Sequence, residues 1–201
     1  MLWYNRVNEE GQDGDVGGVI KMAFDPDKFR ELLLYVAQRS ASDPTFGATK
    51  LNKILFFSDF LAYGQLGKSI TGATYQRLEH GPAARELLPI QEELVNKSEA
   101  MVVPSRYFNR VQKRLWAVRD PVLSRFSAEE ISLVDDVIEA LRCHNASDAS
   151  LLSHLIAVGW QIAGDREEIP YEAVFLSGEP PTPTDVKHGQ ELAQRYGWLA
   201  V

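Results

Sequence analysis

The run from Lys50 to Leu94 constrains this chain more than any other. It opens with KLNKILFFSDFLAYGQLGKSI, passes through ATYQRLE and ends in HGPAARELLPIQEEL. Leu51, Ile54, Leu55, Leu61 and Ala62 recur at helical spacing, and Gly64 and Gly67 are flexible residues of the kind that end a helix. The pattern predicts a core helix, a turn and an extended piece. Beyond it, Gly81 supplies backbone freedom and Pro82 suits the first position of a new helix, whose Leu87, Ile90 and Leu94 face inward. Gly81 and Pro82 therefore read as a tight strand-to-helix connection.

Elements on either side follow from caps and periodicity. In AFDPDKF, Asp25 caps a helix, Pro26 fits its first turn, and Phe29, Leu32, Leu33 and Val36 form the inward stripe. Ala100 to Pro104 and Tyr107 to Val118 read as two strands of a hairpin. Ser127 with Glu130 makes a capping box, after which Ile131, Val134, Ile138 and Leu141 carry a helix toward Asn145. Ser147 caps a short helix with Leu151, Leu152 and Leu155 on its apolar side, ending near Gly159. Trp160, Ile169, Pro170 and Tyr171 bracket a polar turn as an apolar clasp, and the structural reading of Trp160, Pro170 and Tyr171 is that they fasten the C-terminal part onto the helices. The fold class that results is α+β and mainly helical, a single helical domain with a small antiparallel hairpin or sheet.

Residues 8–18 hold four acids, four glycines and one apolar residue, too little to offset the entropy of ordering the chain. The expected organisation is a disordered leader over 1–22, a folded domain over 23–178, and a proline-rich connector with a C-terminal helix and tail over 179–201. Met22 is the expected natural start, the alternative being a flexible arm that folds on a partner through Leu2, Trp3 and Tyr4. In the tail, Trp198, Leu199, Ala200 and Val201 are uncharged and apolar; they read either as docked core or as a tag for a cytoplasmic AAA+ protease.

The chain has 201 residues, 28 acidic against 21 basic, with a formal charge of −7. The molecule as a whole repels nucleic acid phosphates and anionic membranes, which disfavours a general nucleic acid binder. No apolar run approaches the roughly 20 residues that span a bilayer, and the first residues lack the apolar core of a signal peptide, so the expected location is cytoplasmic. Cys143 is the single cysteine and has neither a disulfide partner nor a C-x-x-C neighbour. His80, His144, His154 and His188 are scattered, without the i, i+4 spacing of a zinc protease. No G-x-S-x-G, P-loop or G-x-G-x-x-G is present. We expect no catalytic site, metal or cofactor. The reading of last resort is a hydrolase built around His80 or His154.

Two groups of bases are candidate contact residues. Lys50 and Lys53 sit at the start of a helix, where they oppose its dipole, so they answer either an acidic partner or an internal carboxylate such as Asp59. Phe57 and Phe60 on the nearby face read as core. Arg106, Arg110, Lys113, Arg114, Arg119 and Arg125 place six bases in twenty residues against one acid, Asp120. Strand alternation puts Arg110 and Arg114 on one face and Lys113 on the other. The competing readings of this hairpin are a solvated surface paired with nearby acids and a contact for an acidic partner; Tyr107, Phe108 and Trp116 are as well explained by packing as by base stacking.

The residues Lys50, Leu51, Lys53, Ile54, Leu55, Phe56, Phe57, Gly67, Ile70, Tyr75, Arg77, Gly81 and Pro82 follow the pattern K-L-x-K-[IL]-L-[FY]-[FY], then G-x-x-[IL], an extended stretch and G-P. With the blocks Tyr107 to Glu130 and Ser153 to Glu172, the chain resembles the Panacea, or SocA-like, domain family over roughly residues 27–176. The resemblance implies an antitoxin of a type II system that binds and neutralises a cognate protein toxin. Lys50, Lys53, Arg106, Arg110, Lys113 and Arg114 are then the expected toxin contacts. The alternative is a DNA-binding or phage-associated regulatory protein that uses the arginine-rich hairpin.

Overall fold

A computed structural model describes residues 23–195 apart from 109, 143, 146–147, 150–156, 177 and 179–181, and the backbone but not the side chain of Arg110. The expectations for the leader 1–22 with its start at Met22, for Cys143, for the helix begun at Ser147, for His154 and for the tail after residue 195 lie outside these residues.

Helix α1 (Pro26–Arg39) starts as its sequence dictates: the Asp25 side chain accepts from the Lys28 amide at 2.9 Å. Pro26 fills the first position, where no N–H partner is needed. Helix α2 (Ala48–Leu66) stops at Gly67, whose left-handed φ of 73° suits glycine. Strands β1 (Tyr75–Leu78) and β2 (Gly81–Ala84) then pair antiparallel, Leu78 opposite Gly81 and Tyr75 opposite Ala84.

This hairpin corrects the expected strand-to-helix connection, because helix α3 (Leu87–Asn96) begins only at Leu87. Pro82 is tolerated in a strand for a specific reason. The far edge of β1 pairs with the segment 166–169: Arg77 donates its amide to the Glu167 carbonyl at 2.9 Å and accepts at its own carbonyl from Arg166 at 2.9 Å. Both backbone groups of Arg77 thus turn away from β2, and Pro82, directly opposite, occupies a place where no N–H is required. Gly81 closes the turn at φ 102°, a conformation other residues adopt only under strain.

The second hairpin, β3 (Ala100–Tyr107) with β4 (Arg110–Ala117), runs in register from Ala100 opposite Ala117 to Tyr107 opposite Arg110. Helix α4 (Ala128–Arg142) carries the capping box: Ser127 donates its amide to Glu130 Oε2 at 2.9 Å, and Glu130 returns its own to Ser127 Oγ at 3.2 Å. Lys28 meets the same carboxylate at 2.7 Å and joins α1 to α4. A short helix α5 (Val158–Ile162), a 3-10 turn (Tyr171–Phe175) and helix α6 (Pro183–Arg195) follow; α6 has no buried residue.

Helix α2 is the hub, packed by α1, α4, β2, β4 and the 171–175 turn. Its interior face includes Asp59, fully buried. Asp59 Oδ1 accepts from the Thr71 amide at 2.8 Å; Oδ2 accepts from the Thr71 hydroxyl at 2.6 Å and the Tyr75 hydroxyl at 2.8 Å. Around it Phe56, Phe60, Tyr75 and Tyr171 pack edge-on or tilted, with ring centroids 4.2 to 6.2 Å apart. Phe57 is half-buried against the same core. On α1, Arg119 grips Glu31 through two hydrogen bonds of 2.8 and 2.7 Å, and the Val122 amide adds a third at 2.7 Å. Hydrogen bonding from Arg119 holds the Glu31 carboxyl below its ordinary range.

Two predictions follow from this packing. Burial pushes the Asp59 carboxyl up to about 6 against its hydrogen bonds, while the unfolded carboxyl titrates near 3.9. A group raised in the folded state contributes stability that is present below the unfolded value and lost as pH rises through the folded one. The stability of the protein minus that of its Asp59→Asn variant should therefore fall between pH 4 and 6 in denaturant melts, and a flat difference would place the native titration elsewhere. Replacing Gly81 by Val should cost about 1 to 2 kcal/mol through backbone strain at its positive φ, read as a lowered thermal midpoint.

Candidate functional site

The expected contact lysines are interior residues. Lys50 is 1% exposed; its ammonium lies 2.5 Å from Asp43 Oδ2 and donates to Thr45 Oγ1 at 2.7 Å and to the Arg142 carbonyl at 3.2 Å. It therefore answers an internal carboxylate, Asp43 rather than Asp59, and a cation on the last carbonyls of α4 also suits that helix's dipole. Burial works against ionisation of Asp43, yet the hydrogen bonds from Lys50 and Thr45 hold its carboxyl below the ordinary value. Lys53, also 1% exposed, reaches the Pro82 carbonyl at 3.3 Å. Neither lysine is available to a docked protein surface.

The bases of the hairpin divide in the same way. Arg114 donates to the Ala41 carbonyl at 2.8 Å and lies 6.0 Å over the ring of Phe46. Gln112 donates to the Pro44 carbonyl at 2.8 Å. Arg119 is committed to Glu31 and Glu99, and Arg125 to Asp27 at 3.3 Å. Arg114 thus pins the hairpin to the loop after α1, which corrects its assignment as a contact residue. Arg106 and Lys113 remain exposed, Arg106 donating to the Phe108 carbonyl at 3.3 Å.

Register explains the division. In each cross-strand pair the two side chains share a face, so Ala100, Ala117, Val102 and Leu115 lie on one face with Pro104, Lys113, Arg106 and Val111. The first four pack on the core, while the last four continue past it into solvent. On the other face the order reverses: Met101 and Trp116 are exposed near the domain, and Gln112 and Arg114 fold against the 41–46 loop farther out. The ribbon twists across its support.

Its outer end carries Phe108, 80% exposed at φ 49°, and Val111, 73% exposed. An aromatic residue in left-handed backbone is strained, and such strain clusters at functional sites. The sequence reading passed over Val111 and left Phe108 between packing and stacking; the signal for Phe108 was its place just after the last cross-strand pair, Tyr107 with Arg110, where asparagine or glycine fits best.

The clasp residues sit where the segment after residue 157 meets β1. Trp160 Nε1 donates to the Leu78 carbonyl at 3.0 Å, and its ring lies 4.8 Å from the Arg77 guanidinium. Tyr171 donates to the Ala73 carbonyl at 2.7 Å, and Pro170 precedes its 3-10 turn. Gly81 and Pro82 line a cleft with the first turns of α2. Among the described residues no group of three His, Cys, Asp or Glu side chains is placed to hold a metal ion, and no helix is long and apolar enough to cross a membrane.

No curated protein and no solved structure matches the chain. The family model for the antitoxin SocA-like, Panacea domain matches residues 51–161, more than half of the sequence, from the body of α2 through the buried core helices to α5. The chain belongs to the SocA-like antitoxin family, as a Panacea domain.

Proposed function

We propose that this protein is the antitoxin of a type II system, that it neutralises a protein toxin by direct binding rather than by turnover, and that the outer end of the β3–β4 hairpin makes the contact. The observation that carries this reading is the solvent-exposed group of Phe108, Val111, Arg106 and Lys113 on an otherwise acidic chain of net charge −7. An apolar anchor ringed by bases complements a toxin surface with an apolar recess and acidic rim. Gln112 and Arg114 brace the opposite face of the ribbon, so little conformational freedom is lost on docking. Arg110 adjoins the same turn in the sequence.

The triple change Arg106→Glu, Lys113→Glu and Phe108→Asp tests this reading. It should weaken the complex with the toxin encoded beside the antitoxin by at least about tenfold, roughly 1.4 kcal/mol or more. Folding stability should move by less than about 0.5 kcal/mol per exposed charge change. Undiminished neutralisation in cells and an unchanged complex on gel filtration would remove the hairpin from the interface. Binding of duplex DNA that weakens steeply with salt and is lost in the same variant would instead favour the regulatory reading.

A further inference from the structure

Lys53 presents an unsolved problem of charge. Its ammonium is buried and, among the described residues, has one long hydrogen bond, to the Pro82 carbonyl, and no carboxylate partner. Burying a cation without a counter-charge is costly, and burial alone lowers its affinity for the proton to a value of about 7. Yet the side chain is not sealed in hydrocarbon. It lines a cleft of about 490 Å³ between the first turns of α2, the β1–β2 hairpin and the turn at Asp165 and Arg166.

Beside Lys53, the start of α2 favours an anionic group, while the other polar lining of the cleft suits donors carried by the same ligand. Ala48 and Thr49 line it at the start of α2, where Gly47 gives no side-chain cap and no acid stands in the first turn. The amides of that turn and the helix dipole favour negative charge. Asn52 lines it too; its amide nitrogen donates to the Ala48 carbonyl at 3.1 Å, while its buried Oδ1, an acceptor, has no partner among the described residues. His80 and Arg166 stand at the rim, together with Glu79 and Asp165.

We propose that this cleft binds the phosphate group of a small phosphorylated molecule, with the Lys53 ammonium and the first-turn amides of α2 as its ligands. The volume falls within the range of about 300 to 1,000 Å³ usual for small-molecule sites, enough for a phosphate with an attached sugar or base. The orphan Asn52 oxygen and the rim carboxylates accept hydrogen bonds from the hydroxyl or amino groups of that attachment. Lys53 is thereby a binding residue whose charge the ligand completes. The proposal does not rest on the toxin contact, which lies on a different hairpin.

The test uses the full chain with inorganic phosphate and adenosine monophosphate as probes, against chloride and acetate at equal ionic strength. Phosphate should raise the melting temperature progressively with concentration, as expected for a ligand that binds only the folded state. The Lys53→Met variant should melt higher than the parent in chloride, because it removes a buried unpaired cation, and should bind phosphate at least tenfold more weakly. In the unaltered protein, the side-chain carbon signal of Lys53 should titrate near pH 7 in chloride and at higher pH in phosphate. An equal phosphate response in Lys53→Met, a response to acetate as large as that to phosphate, or a Lys53 midpoint that phosphate does not move would each overturn the proposal.

Discussion

The buried carboxylate of Asp59 decides what can surround the central helix. Once α2 is enclosed, a charge on its inner face has to be met by donors, and the Thr71 amide, the Thr71 hydroxyl and the Tyr75 hydroxyl supply them. That requirement fixes Thr71 and Tyr75 against α2 and so sets where β1 begins. From β1 follow β2 on one edge and the 166–169 segment on the other. Lys50 plays the same part at the other end of the helix, where Asp43, Thr45 and the Arg142 carbonyl converge on its ammonium and hold the α1–α2 loop to α4. Leaving either charge without its partners would cost several times what one exposed ion pair contributes. The buried charges therefore specify which elements meet, while the aromatic and aliphatic contacts supply most of the burial.

The C-terminal segment completes the arrangement. Through Ile169, which donates its amide to the Tyr75 carbonyl at 2.8 Å, and through Trp160 and Tyr171, it lies along β1 and against the aromatic group on α2. Arg77 donates to the Ala163 carbonyl at 3.1 Å and Arg85 to that of Arg166 at 3.2 Å. This strapping brings Asp165 and Arg166 to the cleft that holds Lys53. One wall of the cleft thus comes from residues more than a hundred positions beyond Lys53 in the chain.

The β3–β4 hairpin shows how a cluster of like charge is divided by geometry. A twisted two-stranded ribbon cannot lay one face on a domain along its whole length. Near the domain it buries Ala100 and Leu115; farther out the opposite face turns onto the 41–46 loop. Arg114, Arg119 and Arg125 are consumed by that loop and by α1, and the exposed remainder, Arg106 and Lys113, is gathered beside Phe108 and Val111.

Local physics in the sequence determined the mainly helical α+β class, the start of α1 at Asp25 and Pro26, the stop of α2 at Gly67, the Ser127–Glu130 capping box, the inward stripe of α3 and the pairing of the second hairpin. Each depends on residues within a turn or two of one another, so spacing alone expresses it. The motif from Lys50 to Pro82 was equally sufficient for the family. Tertiary structure decided the rest. Pro82 reads as the start of a helix until a second neighbour for β1 makes its missing N–H harmless. Lys50 and Lys53 leave open an acidic partner or an internal carboxylate until α2 is enclosed, after which Asp43 meets the first and, among the described residues, a carbonyl meets the second. Alternation along β4 gave the faces of its side chains but not which part of each face would be covered, because that depends on a loop seventy residues away and on the twist that brings the two together.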